Sequence, residues 1–156
     1  MLFRSYWEQQ LAGGSGLLPL QIDRPRQIPP TGVGGWRSFK PDRSLVQDLE
    51  SLSQQQGVTV ANMLLATFKT LLYRDTGTED LIVGIPTINQ VDGETFVNAI
   101  AVRTNLAGDS TFIDLLQQVQ QIVTSAQPNQ TIPIELIEGL QLHVTFVFET
   151  DRKSVV

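Results

Sequence analysis

The stretch that decides the fold runs from residue 81 to residue 106, LIVGIPTINQVDGETFVNAIAVRTNL. Leu81, Ile82 and Val83 open it as a continuous apolar run, the pattern of a strand covered on both faces. The second half alternates: Phe96, Asn98, Ile100, Val102 and Thr104 share one face, and Val97, Ala99, Ala101 and Arg103 the other. Two strands joined by the short polar connection 90–95, QVDGET, are therefore expected. Asn98 stands out as a polar residue on an apolar face, which needs a partner once it is buried. Arg103, on the opposite face, is expected in an ordinary salt bridge to an Asp or Glu. Gly84 allows another chain to approach closely, and Pro86 interrupts a ladder. Asn89 fits a turn, and Glu79 and Asp80 a solvated turn that starts the first strand.

Helical patterns flank this stretch. Upstream, Leu45, Leu49 and Leu52 fall on one helical face, with Asp42 or Ser44 as cap and Gly57 as stop. A longer helix from Val60 to Arg74 carries Met63, Leu64, Leu65, Phe68, Leu71 and Leu72, so it is buried on several sides. Downstream, Phe112, Leu115, Leu116, Val119, Ile122 and Val123 repeat at three and four residues, with Asp109 or Ser110 as the expected cap. A short helix starts near Thr131 and Pro133 and stops at Gly139, and residues 142–149, LHVTFVFE, alternate as a half-buried strand. At the other end, Tyr6 to Leu11 read as a short helix ended by Gly13 and Gly14. Residues 15–35 form a Pro/Gly-rich linker, and residues 36–40, WRSFK, one more strand. The sum is an α/β (α+β) two-layer lobe, a mixed sheet packed by helices.

Composition narrows the function classes. At 156 residues with 41% hydrophobic and 17% charged residues, the chain is one globular unit or part of a larger one. A net charge of -5 and no Lys/Arg cluster argue against nucleic acid. There is no cysteine, which removes thiolate metal sites and a cysteine nucleophile, and no metal site is expected. No apolar run approaches the roughly 20 residues of a membrane span, so no membrane partner and a cytoplasmic location are expected. Gly32, Gly34 and Gly35 precede a strand pattern rather than a helix, out of context for a dinucleotide loop. The ends, around Leu2 to Ser5 and Asp151 to Val156, resemble the translation of a sequencing adapter. Residues 1–5 and 150–156 are therefore read as artificial extensions of a partial domain, 6–149, that continued in both directions.

Residue by residue, the chain resembles the condensation domains of nonribosomal peptide synthetases. Tyr6-Trp7, then Leu18-Pro19 and Asp23-Arg24-Pro25-Arg26, are similar to that family's YW helix and LP...DRPRP linker. Tyr73-Arg74-Asp75-Thr76-Gly77-Thr78-Glu79-Asp80 with Val83-Gly84 and Pro86 resembles its xRxTGxEDxxVGxP signature, and Phe96-Val97-Asn98-Ala99 its FVNT strand. Asn129 to Glu135, NQTIPIE, resembles HQDxPFE, with Thr131 and Ile134 in place of Asp and Phe. The resemblance implies half of a chloramphenicol acetyltransferase-like, CoA-dependent acyltransferase fold, the C-terminal lobe of a two-lobed enzyme with a tunnel between the lobes. In that family an acceptor aminoacyl amine attacks a donor thioester, both carried on phosphopantetheine arms of carrier proteins.

The family's HHxxxDG loop is absent. The one histidine, His143, lies on a predicted strand with no Asp-Gly after it and is not expected to be catalytic. No catalytic residue is therefore assigned. Substrate-tunnel candidates carried over from the matching motifs are Asn98, Phe96, Asn89, Pro86 and Gly84. The connection 90–95 is shorter than the family's. No cofactor is expected to bind directly. The implied partners are the N-terminal lobe of the same domain, peptidyl carrier proteins and an adenylation domain, and self-association through the uncovered lobe surface is expected. The rival readings are a protein-binding lobe without chemistry and a related acyltransferase using acyl-coenzyme A.

Overall fold

The computed structural model describes residues 2–23, 25 and 28–149. The tail 150–156 and Arg24 and Arg26 of the linker lie outside the described residues. The elements, in order, are α1 (Leu2–Leu11), α2 (Arg43–Gln56), α3 (Val60–Thr76), β1 (Asp80–Val91), β2 (Glu94–Asn105) and α4 (Phe112–Ala126), followed by two 3-10 turns, Gln127–Asn129 and Ile134–Leu136.

The stretch 81–106 is the centre of the molecule. β1 and β2 pair antiparallel from Asp80↔Asn105 to Val91↔Glu94 without a break. The turn is Asp92-Gly93, both with positive φ (52° and 84°), the two-residue geometry that matches the twist of the flanking strands. Leu81, Ile82, Val83, Ile100, Ala101 and Val102 are buried, so this end of the hairpin is covered on both faces as the pattern predicts.

A third segment makes the sheet mixed, but only just. Residues 142–149 do not form the expected strand; they meet β1 in one parallel bridge, Gly84↔Thr145. The Gly84 N–H donates to the Val144 carbonyl (3.0 Å) and the Phe146 N–H to the Gly84 carbonyl (2.8 Å). The next outward-facing position on β1 is Pro86, which has no N–H to continue the ladder. Gly84 itself is required by crowding: a Cβ there would sit 2.9 Å from Leu142 Cδ1.

The helices follow the sequence pattern, with corrected ends. α1 begins at Leu2, four residues before the expected start. α2 stops at Gly57 (φ 65°) and α3 at Gly77 (φ 67°). Asp42 occupies the cap position of α2 without a side-chain bond. α4 is capped by Thr111 rather than Asp109 or Ser110, because Thr111 and Asp114 bond each other's backbone N–H in a capping box. Leu115, Leu116 and Val119 of α4 and Met63, Leu65, Ala66 and Leu72 of α3 are buried in one core with the hairpin, whereas Leu71 is exposed. Asn62 Nδ2 ties the two helices by donating to Gln120 Oε1 (2.7 Å).

Residues 36–40 are not a strand. Among the described residues they have no pairing partner, and Trp36 and Phe39 are 85% and 91% exposed. A strand needs a neighbour for its backbone groups, and alternation alone does not supply one.

Candidate functional site

Two asparagines on adjacent strands build the most organised polar cluster. Asn89 and Asn98 lie on the same face of the hairpin, since Asn89 pairs with Phe96 and Thr87 with Asn98, and both are about 95% buried. Asn98 Nδ2 donates to the Gln130 carbonyl (2.7 Å) and to the Ile132 carbonyl, while its Oδ1 accepts from the Ile134 N–H (3.0 Å). Asn89 Nδ2 donates to the same Gln130 carbonyl (3.2 Å) and to Thr87 Oγ1 (3.1 Å). From α1, buried Trp7 donates its indole N–H to the Asn129 carbonyl (3.0 Å). Three elements thus hold the irregular segment 129–134, whose backbone cannot satisfy itself.

Pinned this way, the segment crosses from the Asn98 face of the hairpin to the Gly84 face, where Leu142 packs and the Gln141 N–H reaches the Ser15 carbonyl (3.0 Å). The crossing leaves a cleft of about 360 Å³ walled by Pro86, Val97, Ala99, Leu140 and Leu142, with Asn98, Ile134 and Glu135 at its inner side and rim. Glu135 is the single ionisable residue among those lining it. No lining residue is a base paired with a nucleophile.

The tunnel candidates therefore divide. Asn98 and Pro86 line the cleft; Asn89 supports it from behind through Gln130. Phe96 is half-buried beside Asn89, and Gly84 lies beneath Leu142 and Thr145. His143 is exposed on the 142–149 segment. Leu140, Leu142 and Glu135 carry no sequence signal for the cleft, because only the crossing of an irregular segment brings them there.

Two charged groups elsewhere shape the lobe. Arg103 forms the expected ion pair, bidentate to Asp80 (Nε–Oδ1 and Nη2–Oδ2, both 2.8 Å), and also donates to the Gln10 and Ala12 carbonyls (3.3 and 2.8 Å). Asp80 opens β1, at the expected start of the first strand, and is ion-paired as well as partly solvated; the Arg103 hydrogen bonds hold its carboxyl below the usual carboxylate range. The pair joins the end of α1 to the hairpin, and Gly14 fits beside it, where a Cβ would lie 2.7 Å from Ile82 Cδ1. Lys69 of α3 is fully buried, and its ammonium donates to the Leu81 (3.0 Å) and Val102 (2.7 Å) carbonyls. Burial lowers its pKa to about 7, against a smaller opposing pull from the Asp80 charge.

The comparisons with known proteins agree with this architecture. The family model for the condensation domain matches residues 3–147. The chain is 37% identical over 145 residues to a linear gramicidin synthase of Brevibacillus parabrevis, covering 88% of this chain and 3% of that protein. It is 37% identical over 142 residues to phosphinothricin tripeptide synthetase PhsB of Streptomyces viridochromogenes, covering 86% of this chain and 12% of the relative. Among solved structures, the X-domain from teicoplanin biosynthesis superposes with a TM-score of 0.76 at 24% identity, covering 86% of this chain and 32% of that one. The first condensation domain of the CDA synthetase gives 0.68 at 16% identity, covering 86% and 30%. The chain thus spans a small fraction of its curated relatives and about a third of these solved chains. It belongs to the condensation-domain family of nonribosomal peptide synthetases.

Proposed function

We propose that this chain is the C-terminal lobe of a condensation domain whose parent joins carrier-bound substrates by amide bonds. The acceptor amine attacks the donor thioester carbonyl; a C–N bond forms, the C–S bond breaks, and the carrier's thiol leaves with the proton from the amine. The observation that carries the reading is the 37% identity across 88% of this chain to a synthase that it covers by only 3%. The names of the relatives, a gramicidin synthase and a tripeptide synthetase, support peptide assembly as the parent's task.

In this reading the hairpin and the pinned segment form one wall of the substrate tunnel, with Asn98 and Pro86 on it. The opposite wall, with its HHxxxDG loop, belongs to the N-terminal lobe. Peptidyl carrier proteins with their phosphopantetheine arms deliver both substrates in the cytoplasm, and an adenylation domain loads them. A lobe with one histidine, outside the cleft, and no HHxxxDG loop forms no amide alone. The test is to mix the purified chain with carrier-bound donor and acceptor thioesters, with and without an N-terminal lobe encoded upstream. Product is expected only with both lobes. Product from this chain alone, or an intact gene with no HHxxxDG upstream, overturns the reading.

A further inference from the structure

The segment 142–149 leaves one side of its backbone unused. Gly84 of β1 bonds the Val144 carbonyl and the Phe146 N–H, so the backbone groups of Thr145 between them point away from the sheet. Those of His143, Thr145 and Val147 have no hydrogen-bond partner among the described residues. Open edges are commonly blunted by a proline or a lysine, and LHVTFVFE contains neither. Val147 and Phe148 stand exposed along it. The edge is held ready from behind, because the Phe146 ring packs on Phe68 of α3 with 6.0 Å between centroids.

Another strand completes such an edge, and this segment is complementary to itself in one antiparallel register. About a twofold axis at Phe146, Thr145 meets Val147 of a second copy and His143 meets its Glu149, which pairs the outward-facing backbone groups on both sides. Each exposed His143 imidazole then lies opposite an exposed Glu149 carboxylate, to which it can donate, and Val144 lies opposite Phe148. Moving the axis to Thr145 or Val147 also pairs outward groups, but it sets Glu149 opposite Gln141 or Thr145 and separates it from His143. We infer that two copies of this chain join edge to edge through residues 143–149, paired antiparallel about Phe146 into one continuous sheet. The twofold axis uses the edge of each copy on the other, so association stops at two. The inference goes beyond the condensation reading and rests on the edge alone.

Sedimentation equilibrium of the whole chain should find monomer and dimer in exchange, with a Kd on the order of 10–100 µM, the weak range of a small interface. Val147→Pro removes a backbone donor that has no partner within the chain, and should leave only monomer while circular dichroism stays that of the folded lobe. His143→Glu sets two carboxylates opposite each other on both sides of the axis and should raise the Kd about tenfold; adding Glu149→Lys to it should restore the original value. Both side chains are exposed, so this exchange leaves the core alone and decides the matter even where Val147→Pro loses its fold. Hydrogen exchange should slow with concentration at Thr145 and Val147 but not at Phe146, whose N–H already donates to Gly84. A chain still monomeric at about 1 mM, roughly ten times the weakest expected Kd, overturns the inference. So does a dimer indifferent to a folded Val147→Pro, an assembly that grows beyond two copies, or a double variant as weak as His143→Glu alone. None of those results touches the condensation reading, which stands or falls on amide formation by the two-lobed parent.

Discussion

Replacing Lys69 by methionine should make this protein more stable at neutral pH. The ammonium of Lys69 is fully buried, and both carbonyls it meets, Leu81 and Val102, belong to paired strands and keep ladder partners without it. Its pKa drops from 10.5 to about 7 on folding, chiefly by desolvation. Because the folded value lies below the unfolded one, the unfolded chain binds the extra proton throughout pH 7 to 10.5. Stability therefore rises with pH across that window, by about 1.4 kcal/mol per pH unit in its middle. Over the whole window this amounts to an upper limit of about 5 kcal/mol, largest as a deficit below pH 7. Methionine fills nearly the same volume without a charge, so urea denaturation at pH 6.5 should find Lys69→Met more stable by about 2 kcal/mol or more. The gap should close steadily toward pH 9 and beyond. Comparing the two proteins at each pH cancels every titration they share. A difference in stability that stays constant between pH 6.5 and 9 would refute the reasoning.

Three further substitutions test other parts of the lobe. Thr104 Oγ1 is buried without a hydrogen-bond partner among the described residues, so Thr104→Val should raise stability by about 1 kcal/mol in the same urea assay; a loss of that size would show that the hydroxyl has a partner. Asn98→Ala strands the buried Ile134 N–H and the partly buried Ile132 carbonyl, while the Gln130 carbonyl keeps its Asn89 donor, and should cost about 1–3 kcal/mol. It should also speed hydrogen exchange at Ile134 beyond what the global loss explains, and unchanged exchange there would count against the clamp. The Asp80 carboxyl is held below its ordinary pKa of 3.8, so its contribution is present above that value and lost as pH falls through the lower folded pKa. The pair is partly exposed, with the Asp80 side chain 43% accessible, which limits the effect to about 1 kcal/mol or less. Asp80→Asn should flatten that acid limb between pH 2 and 4 in urea denaturation, and an unaltered slope would remove the ion pair from the account.

Much of the fold was legible because the sequence is locally consistent. Helices α2 and α3 end at the glycines that the sequence offers as stops, α4 follows its apolar period although Thr111 caps it in place of Asp109 or Ser110, and Asp92-Gly93 is a strong short hairpin signal. The misreadings share a cause. Residues 36–40 and 142–149 alternate like strands, but pairing is decided elsewhere: the first has no neighbour, and the second is stopped at one bridge by Pro86 on the opposite strand. Of the site, Asn98 was found because a polar residue on an apolar face must be satisfied, while its partners were invisible, being backbone groups of an irregular segment. Lys69 was missed although it sits in a helix apolar on several sides, where a lysine between Phe68 and Leu72 has few routes to water. Glu135 followed the family pattern but carried no pattern of its own.

The fastening of residues 129–134 also bears on the order in which the molecule assembles. Trp7 and Asn129 are 122 residues apart, and Asn98 reaches across 32 to 36 residues to its three partners. The Trp7 bond cannot form until the first helix meets this segment, nor the Asn98 bonds until β2 does, so the chain entropy of a large loop is spent before they return anything. The segment should thus set last and let go first. A weakened clamp should appear as faster unfolding with folding speed nearly unchanged, which makes this short irregular piece a governor of how long the native lobe survives.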